Sequence, residues 1–152
     1  MLKEKITVGE SINLINESIL DFEDGLSSEA IEKISYAVNG EIQVRDYLLG
    51  MPTVYPLTTC LDFLNYISQS VNESERCPFQ SVLSAYFYEL GEPEISVALI
   101  DSTLSINPTY SLGLLLQRVY KAGWSANSFV SMRNDLHGRV VEMLEEMQDT
   151  YI

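Results

Sequence analysis

Positive charge is scarce in this sequence. Nine lysines and arginines face 22 aspartates and glutamates, for a formal net charge of −13. Such a field repels phosphate backbones, which excludes ordinary direct contact with DNA or RNA and favours a protein partner with a basic surface. Histidine is nearly absent. His137 is the only one, and no Glu-x-x-His or His-Glu-x-x-His motif surrounds it. No metal site is expected, and the residue reads as one on a helix surface. The two cysteines, Cys60 and Cys77, are too far apart in sequence for a metal-binding pair and read as buried, reduced thiols. A Cys–His nucleophile would have to combine one of them with His137, and no motif places them together. Long apolar runs are missing too: the strictly aliphatic ones are as short as Val97 to Ile100 and Leu114 to Leu116. No membrane span is expected. Neither a Gly-x-Ser-x-Gly elbow nor a glycine-rich phosphate loop is present, so no catalytic residue and no cofactor is expected. The N-terminus turns polar and acidic before any apolar stretch develops, which predicts no signal peptide and a cytoplasmic location. Without such a signal, the glycosylation-like triplet Asn72-Glu73-Ser74 carries no weight.

What the chain does have is helical punctuation. Its 152 residues, 46% of them hydrophobic, are enough for one domain that buries roughly two-thirds of its unfolded surface. Val8, Ile12, Ile15, Ile19, Phe22 and Leu26 step by three or four, with Thr7 and Glu10 placed as a capping box and Asp24-Gly25 as a stop. Ser27 or Ser28 caps a second helix that Asn39-Gly40 ends with a left-handed residue. A short third helix covers about 42–49 and ends at Gly50, and the prolines of 51–56 predict a loop. Thr58 or Thr59 caps a fourth helix whose apolar residues fall nearly all round, which predicts deep burial. Residues 78–123 form a regularly punctuated three-helix segment, with Pro78 and Pro93 opening helices and Gly91, Asn107-Pro108 and Gly123 closing them. A terminal helix over 127–148 places Phe129, Met132, Leu136, Val140, Met143, Leu144 and Met147 on one stripe, with Gly138 as a point of kinking. The expected fold is all-α: a single irregular bundle of seven or eight helices over residues 1–152.

The helix pair from Gln80 to Pro108 resembles one tetratricopeptide unit, a pattern of about 34 residues. Leu83, Phe87, Ile100 and Pro108 fall in register, with Gly91 at the inter-helix turn, whereas Gln80, Ser84 and Ser96 depart from it. An array needs at least about three repeats, and one is present, so the expectation is a tetratricopeptide-like hairpin only. A second resemblance covers roughly residues 40–123. Val44-Arg45-Asp46, Gly91-Glu92, Asp101, Leu104, Asn107-Pro108, Tyr110-Ser111-Leu112 and Leu115-Leu116 are similar to the helical C-terminal part of a mainly actinobacterial family. It is labelled domain of unknown function 4192. Glu92, Asn107 and Gly113 replace the Asp, Asp and Ala usual there, and the family's N-terminal α/β half has no counterpart. The resemblance implies a helical module and transfers no catalytic residue.

Candidate binding residues are the tyrosines of the punctuated helices: Tyr86, Tyr88, Tyr110 and Tyr120. Those not consumed by the core would anchor a partner, because tyrosine offers contact area at low entropic cost. Gly91 and Pro108 are read as structural turn residues. The acids Glu142, Glu145, Glu146 and Asp149 read as a solvated helix face, with a divalent cation as the alternative. Arg45-Asp46 reads as architectural, each with its partner elsewhere, since adjacent helical residues do not face each other. The terminal stripe folds back on its own bundle in the favoured monomer, or packs against a second copy in a homodimer. The functional reading is a non-catalytic protein-interaction module. One alternative is an acidic nucleic-acid mimic, because Asp46, Asp62, Glu73, Glu75, Glu89, Glu92, Glu94 and Asp101 oppose Arg76 alone in that stretch. The other is an enzyme with an unrecognised site.

Overall fold

The computed structural model of the chain describes residues 5–152. Among the described residues eight α-helices follow one another: α1 (Val8–Asp21), α2 (Ser28–Gly40), α3 (Ile42–Gly50), α4 (Leu57–Ser70), α5 (Cys77–Leu90), α6 (Pro93–Ile106), α7 (Ser111–Lys121) and α8 (Ala126–Glu146). Short 3₁₀ turns at Phe22–Asp24, Met51–Thr53 and Glu73–Glu75 join some of them. Among the described residues, the one pairing of extended backbone is an isolated antiparallel bridge between Thr7 and Tyr151. The fold class is therefore the all-α bundle that the helical spacing predicts. The first four residues, on which the reading of the N-terminus partly rests, lie outside the described residues.

Several stop and start signals act as their chemistry requires. The Thr7 hydroxyl accepts from the Glu10 amide (3.1 Å) while the Glu10 carboxylate accepts from the Thr7 amide (3.2 Å), completing the capping box of α1. Ser27 caps α2 through the Ala30 amide. Gly91 closes α5 at φ 88°, and the amides of Gly91 and Glu92 donate back to Tyr88 and Phe87. A side chain there would carry the left-handed penalty that glycine escapes. Pro93 opens α6, and Asn107 and Pro108 form the turn beyond its end.

Other local expectations are corrected. Gly40 is a helical residue without positive φ; its bareness serves close approach, since a Cβ there would come within 2.8 Å of the Ile152 side chain. Helix α4 starts at Leu57 behind Pro56, so Thr58 and Thr59 fall inside its first turn and no side chain caps it. Nor is α4 buried all round, because Asp62, Asn65, Gln69 and Ser70 face solvent. Deep burial falls to α5 instead, where ten of 14 residues are buried. Helix α8 runs unbroken through Gly138. Arg45 does bond its neighbour: its Nε and Nη2 both donate to Asp46 Oδ1, at 3.1 and 3.0 Å. A long guanidinium arm can bend back where two short side chains could not.

One core joins residues from all eight helices, and α5 stands at its centre against α3, α4, α6, α7 and α8. Helix α8 crosses α3, with Phe129, Val140 and Leu144 buried, Met132, Leu136 and Met147 partly so, and Met143 exposed. The residues after α8 then close on the start of the chain. Carbonyls of Gln148 and Thr150 accept from the amides of Gly9 and Val8, at 2.9 and 2.8 Å, and the Ile152 amide donates to Ile6. Those two donors are the first of α1, which no intrahelical carbonyl can satisfy, so the C-terminal segment caps the first helix.

Candidate functional site

The most apolar of the eight helices, α6, meets the core through a line of residues that is mostly small and polar. Its inward line is Ser96, Ile100 and Thr103, spaced i, i+4, i+7, and all three are buried. The facing line on α5 is Cys77, Ser81 and Ser84, with the same spacing. Small side chains on both lines let the helices approach closely, and hydrogen bonds satisfy most of their hydroxyls. Ser84 Oγ donates to the Ser96 carbonyl (2.7 Å) and Ser96 Oγ donates to the Ser84 carbonyl (2.8 Å). Thr103 donates to Gln80 (3.2 Å), and the Cys77 thiol donates to the Thr103 carbonyl (3.6 Å). The pairs 84 with 96 and 80 with 103 fix the two helices as antiparallel. Leu99 and Leu104 pack on the core beside that line, and Ile95 and Val97, on its two opposite flanks, are 41% and 44% exposed. The flank that carries Val97 faces α7.

Beside that flank is a notch between α6 and α7. It has a volume of about 160 Å³ and is lined by Val97, Ile100, Asp101, Gln117, Tyr120 and Lys121. Tyr120 is the tyrosine that reaches it. Its ring stacks on Tyr88 at 4.5 Å, Tyr88 meets Phe129 edge-on at 5.6 Å, and the Tyr120 hydroxyl shares a 2.8 Å hydrogen bond with Ser84. Burial holds the Tyr120 phenol neutral by raising its pKa, partly offset by Ser84. The other three tyrosines are placed differently. Tyr86 is fully buried with its hydroxyl on the Leu48 carbonyl, and Tyr88 is buried with its hydroxyl on the Trp124 carbonyl. Neither presents a surface. Tyr110 packs against the core under the Arg45 guanidinium, 5.9 Å from its ring centroid.

A second concavity lies between α1, α3 and α8, with a volume of about 300 Å³. His137 is on its wall, and this corrects the surface placement expected for that residue. The imidazole is half-buried and packed on Gly50, where a Cβ would fall 2.1 Å from Nδ1. Its Nδ1 is buried without a hydrogen-bond partner. Burial, and then the Arg133 charge, lower the His137 pKa, so the ring is neutral at pH 7. Arg133 itself is buried and bonded to Glu89 of α5. A third and larger concavity, from Trp124 to Arg139, has all its lining residues on α8 and the turn before it, and is an open trough.

The remaining sequence candidates stay apart. Cys60 and Cys77 are buried free thiols bonded to the carbonyls of Tyr55 and Thr103. Burial pushes the Cys60 thiol up to about 12 and raises that of Cys77 as well. Thiolate, the nucleophilic form, is disfavoured at both. Glu142, Glu145, Glu146 and Asp149 are exposed, and among the described residues no group of three His, Cys, Asp or Glu is arranged around a cation position. Of the eight acids in the stretch 46–101, Asp46 and Glu89 are consumed in internal ion pairs and Glu75 accepts from Ser35. Among the described residues, no helix is long and apolar enough to cross a membrane.

No family model, no curated protein and no solved structure matches this chain. The resemblances read over about residues 40–123 and from Gln80 to Pro108 rest on their own residues.

Proposed function

We propose that this chain is a non-catalytic protein-interaction module that receives its partner at the α6–α7 notch and the exposed flank of α6 around Val97. The observation that carries the reading is the α6–α7 notch itself, on whose rim Val97 is 44% exposed. The size of the notch supports it. About 160 Å³ is below the roughly 300–1,000 Å³ of small-molecule sites and suits one apolar side chain projecting from a partner. Tyr120, backed by Tyr88 and Phe129, gives that anchor a rigid aromatic wall of the kind found at interface hot spots. Glu94 and Asp101 lie on the same helix and are exposed. A partner helix with basic residues beside its apolar anchor fits this surface.

The test is capture of partners from the native cell by the wild-type chain and by two folded variants. Val97→Glu should lose the captured protein, while Leu20→Glu, on the exposed face of α1, should retain it. With the partner purified, association should slow steeply as salt shortens the screening length from about 10 Å at 0.1 M to about 3 Å at 1 M, and dissociation should change less. Retention by Val97→Glu would remove the surface from consideration.

A further inference from the structure

The cleft between α1, α3 and α8 shares no residue with the α6–α7 notch, and its walls have a different chemistry. Its volume, about 300 Å³, reaches the lower end of the range for small-molecule sites. Three distant parts of the chain converge on it. Ile12 comes from α1, Val54 from the segment after α3, and Val141 and Leu144 from α8, giving an aliphatic lining. Two aromatic rings complete the walls, Tyr47 and His137, with centroids 5.8 Å apart. The Tyr47 hydroxyl is already committed, donating to Asn16 Oδ1 at 3.0 Å, so Tyr47 offers the cleft its ring. His137 Nδ1 is sealed against Gly50, which leaves Nε2 as the nitrogen available to a guest.

One charged side chain lines the cleft, the carboxylate of Glu145, accompanied by the amides of Asn13 and Gln148. An aliphatic pocket with an aromatic face and a carboxylate at its rim selects for charge of one sign. A carboxylate forms its strongest hydrogen bonds with a cationic donor, and a tyrosine face attracts a cation within about 6 Å of its centroid. The chain's net charge of −13 enriches cations at the mouth and repels anions. The walls are held in place by Asn16 behind Tyr47 and Gly50 behind His137, and at one edge of the cleft the Gln148 carbonyl accepts from the Gly9 amide. We propose that this cleft binds a small organic cation, an ammonium group on an aliphatic or aromatic body. Its nitrogen sits at Glu145 beside the Tyr47 ring, and its apolar body sits among Ile12, Val54, Val141 and Leu144.

The test uses the whole chain, labelled with ¹⁵N and titrated separately with hexylammonium, 1-hexanol and hexanoate. Hexylammonium should saturate in the millimolar range, moving the amides of Ile12, Val54, His137 and Glu145, with hexanol weaker and hexanoate silent. Glu145→Gln changes an exposed residue; it should keep the wild-type melting temperature and weaken hexylammonium on the order of tenfold. Val141→Trp should fill the cleft and abolish binding. Equal binding of alcohol and ammonium, unchanged affinity in Glu145→Gln, shifts centred elsewhere or the absence of saturation would each overturn the proposal. None of these outcomes bears on the α6–α7 surface.

Discussion

Helices α6 and α8 pack on the same central helix, α5, by opposite means. Helix α6 is the most apolar of the eight and α8 the least. A rule that hydrophobic helices go inside would bury α6 and float α8. Instead α6 turns Ser96 and Thr103 to the core beside Ile100 and leaves Ile95 and Val97 partly exposed on its two flanks, while α8 buries Phe129, Val140 and Leu144 and exposes Asp135, Glu142, Glu145 and Glu146. Each arrangement pairs most of its buried polar groups, with Ser81 Oγ opposite α6 and His137 Nδ1 on α8 left without a hydrogen-bond partner. At α6 the means are reciprocal neutral hydrogen bonds, each worth about 0.5–1.5 kcal/mol net. At α8 it is an ion pair, Arg133 with Glu89, whose side chains are 4% and 11% exposed. What matters for helix orientation is which single line of residues matches its neighbour, and total hydrophobicity does not report it.

The largest effect should come from breaking the α8 arrangement at its charge. Arg133→Ala leaves the Glu89 carboxylate enclosed without its partner, and loss of one member of a buried pair costs about 3–5 kcal/mol. Chemical denaturation of the variant should show that loss. The double variant Arg133→Met with Glu89→Leu should recover most of it, because a well-packed apolar pair is often neutral relative to a buried ion pair. A double variant as unstable as Arg133→Ala would mean that shape, not charge, fixes α8 there.

A smaller effect should follow from filling the seat of α8 on α3. A methyl group at Gly50 would fall 2.1 Å from His137 Nδ1 and 3.0 Å from His137 Cβ, so Gly50→Ala forces the two helices apart. Overpacking of this kind costs about 1–3 kcal/mol. Adding His137→Ala should return part of it, measured as a favourable coupling in a double-mutant cycle. Additive losses would show that Gly50 is bare for a reason other than the imidazole.

His137 also makes the α8 side pH-sensitive. Its pKa is lowered from 6.5 in the folded chain by burial and then by Arg133. The unfolded chain therefore binds the proton first. The stability contribution is complete above about pH 6.5 and is lost as pH falls through the lowered folded value. Between those limits, melting temperature should decline in the wild type and decline less in His137→Gln. Equal slopes would place the titrating group elsewhere.

The bundle was legible in the sequence because its signals are local. The Thr7–Glu10 capping box, Ser27, Gly91 and Pro93 each act within one helical turn, and each works in the structure as its residue type demands. What was not legible depends on two distant partners at once. Gly40 and Gly50 looked like chain stops, yet their bareness makes room for Ile152 and His137, more than 80 residues away. The Arg133–Glu89 pair bridges 44 positions, and no spacing rule connects them. Of the four tyrosines singled out, Tyr120 alone lines the notch, because the choice between core and surface is made by α5, on which Tyr86 and Tyr88 ride. The orientation of α6 did leave a trace. Cys77, Ser81, Ser84 and then Ser96, Ile100, Thr103 are two lines of mostly small residues with one spacing in consecutive helices, and such lines mark a close interface.

The smallest expected effect is also the sharpest test of the comparison. If Val97 is truly left over from the packing of α6, removing its apolar surface should cost the fold almost nothing. Val97→Ser takes away methyl groups at a position 44% exposed, and surface changes of this kind stay within about 0.5 kcal/mol. The same substitution at Val140 of α8, which is 2% exposed, would remove core packing and bury a new hydroxyl. If the two variants lose similar stability, Val97 contributes to the core from its exposed position, and α6 is an ordinary amphipathic helix with a wide apolar face. If Val97→Ser melts with the wild type yet weakens partner capture, the valine is there for the partner. The measurement needs only thermal melts of the two variants beside the capture assay, and it separates a residue held for folding from one held for binding.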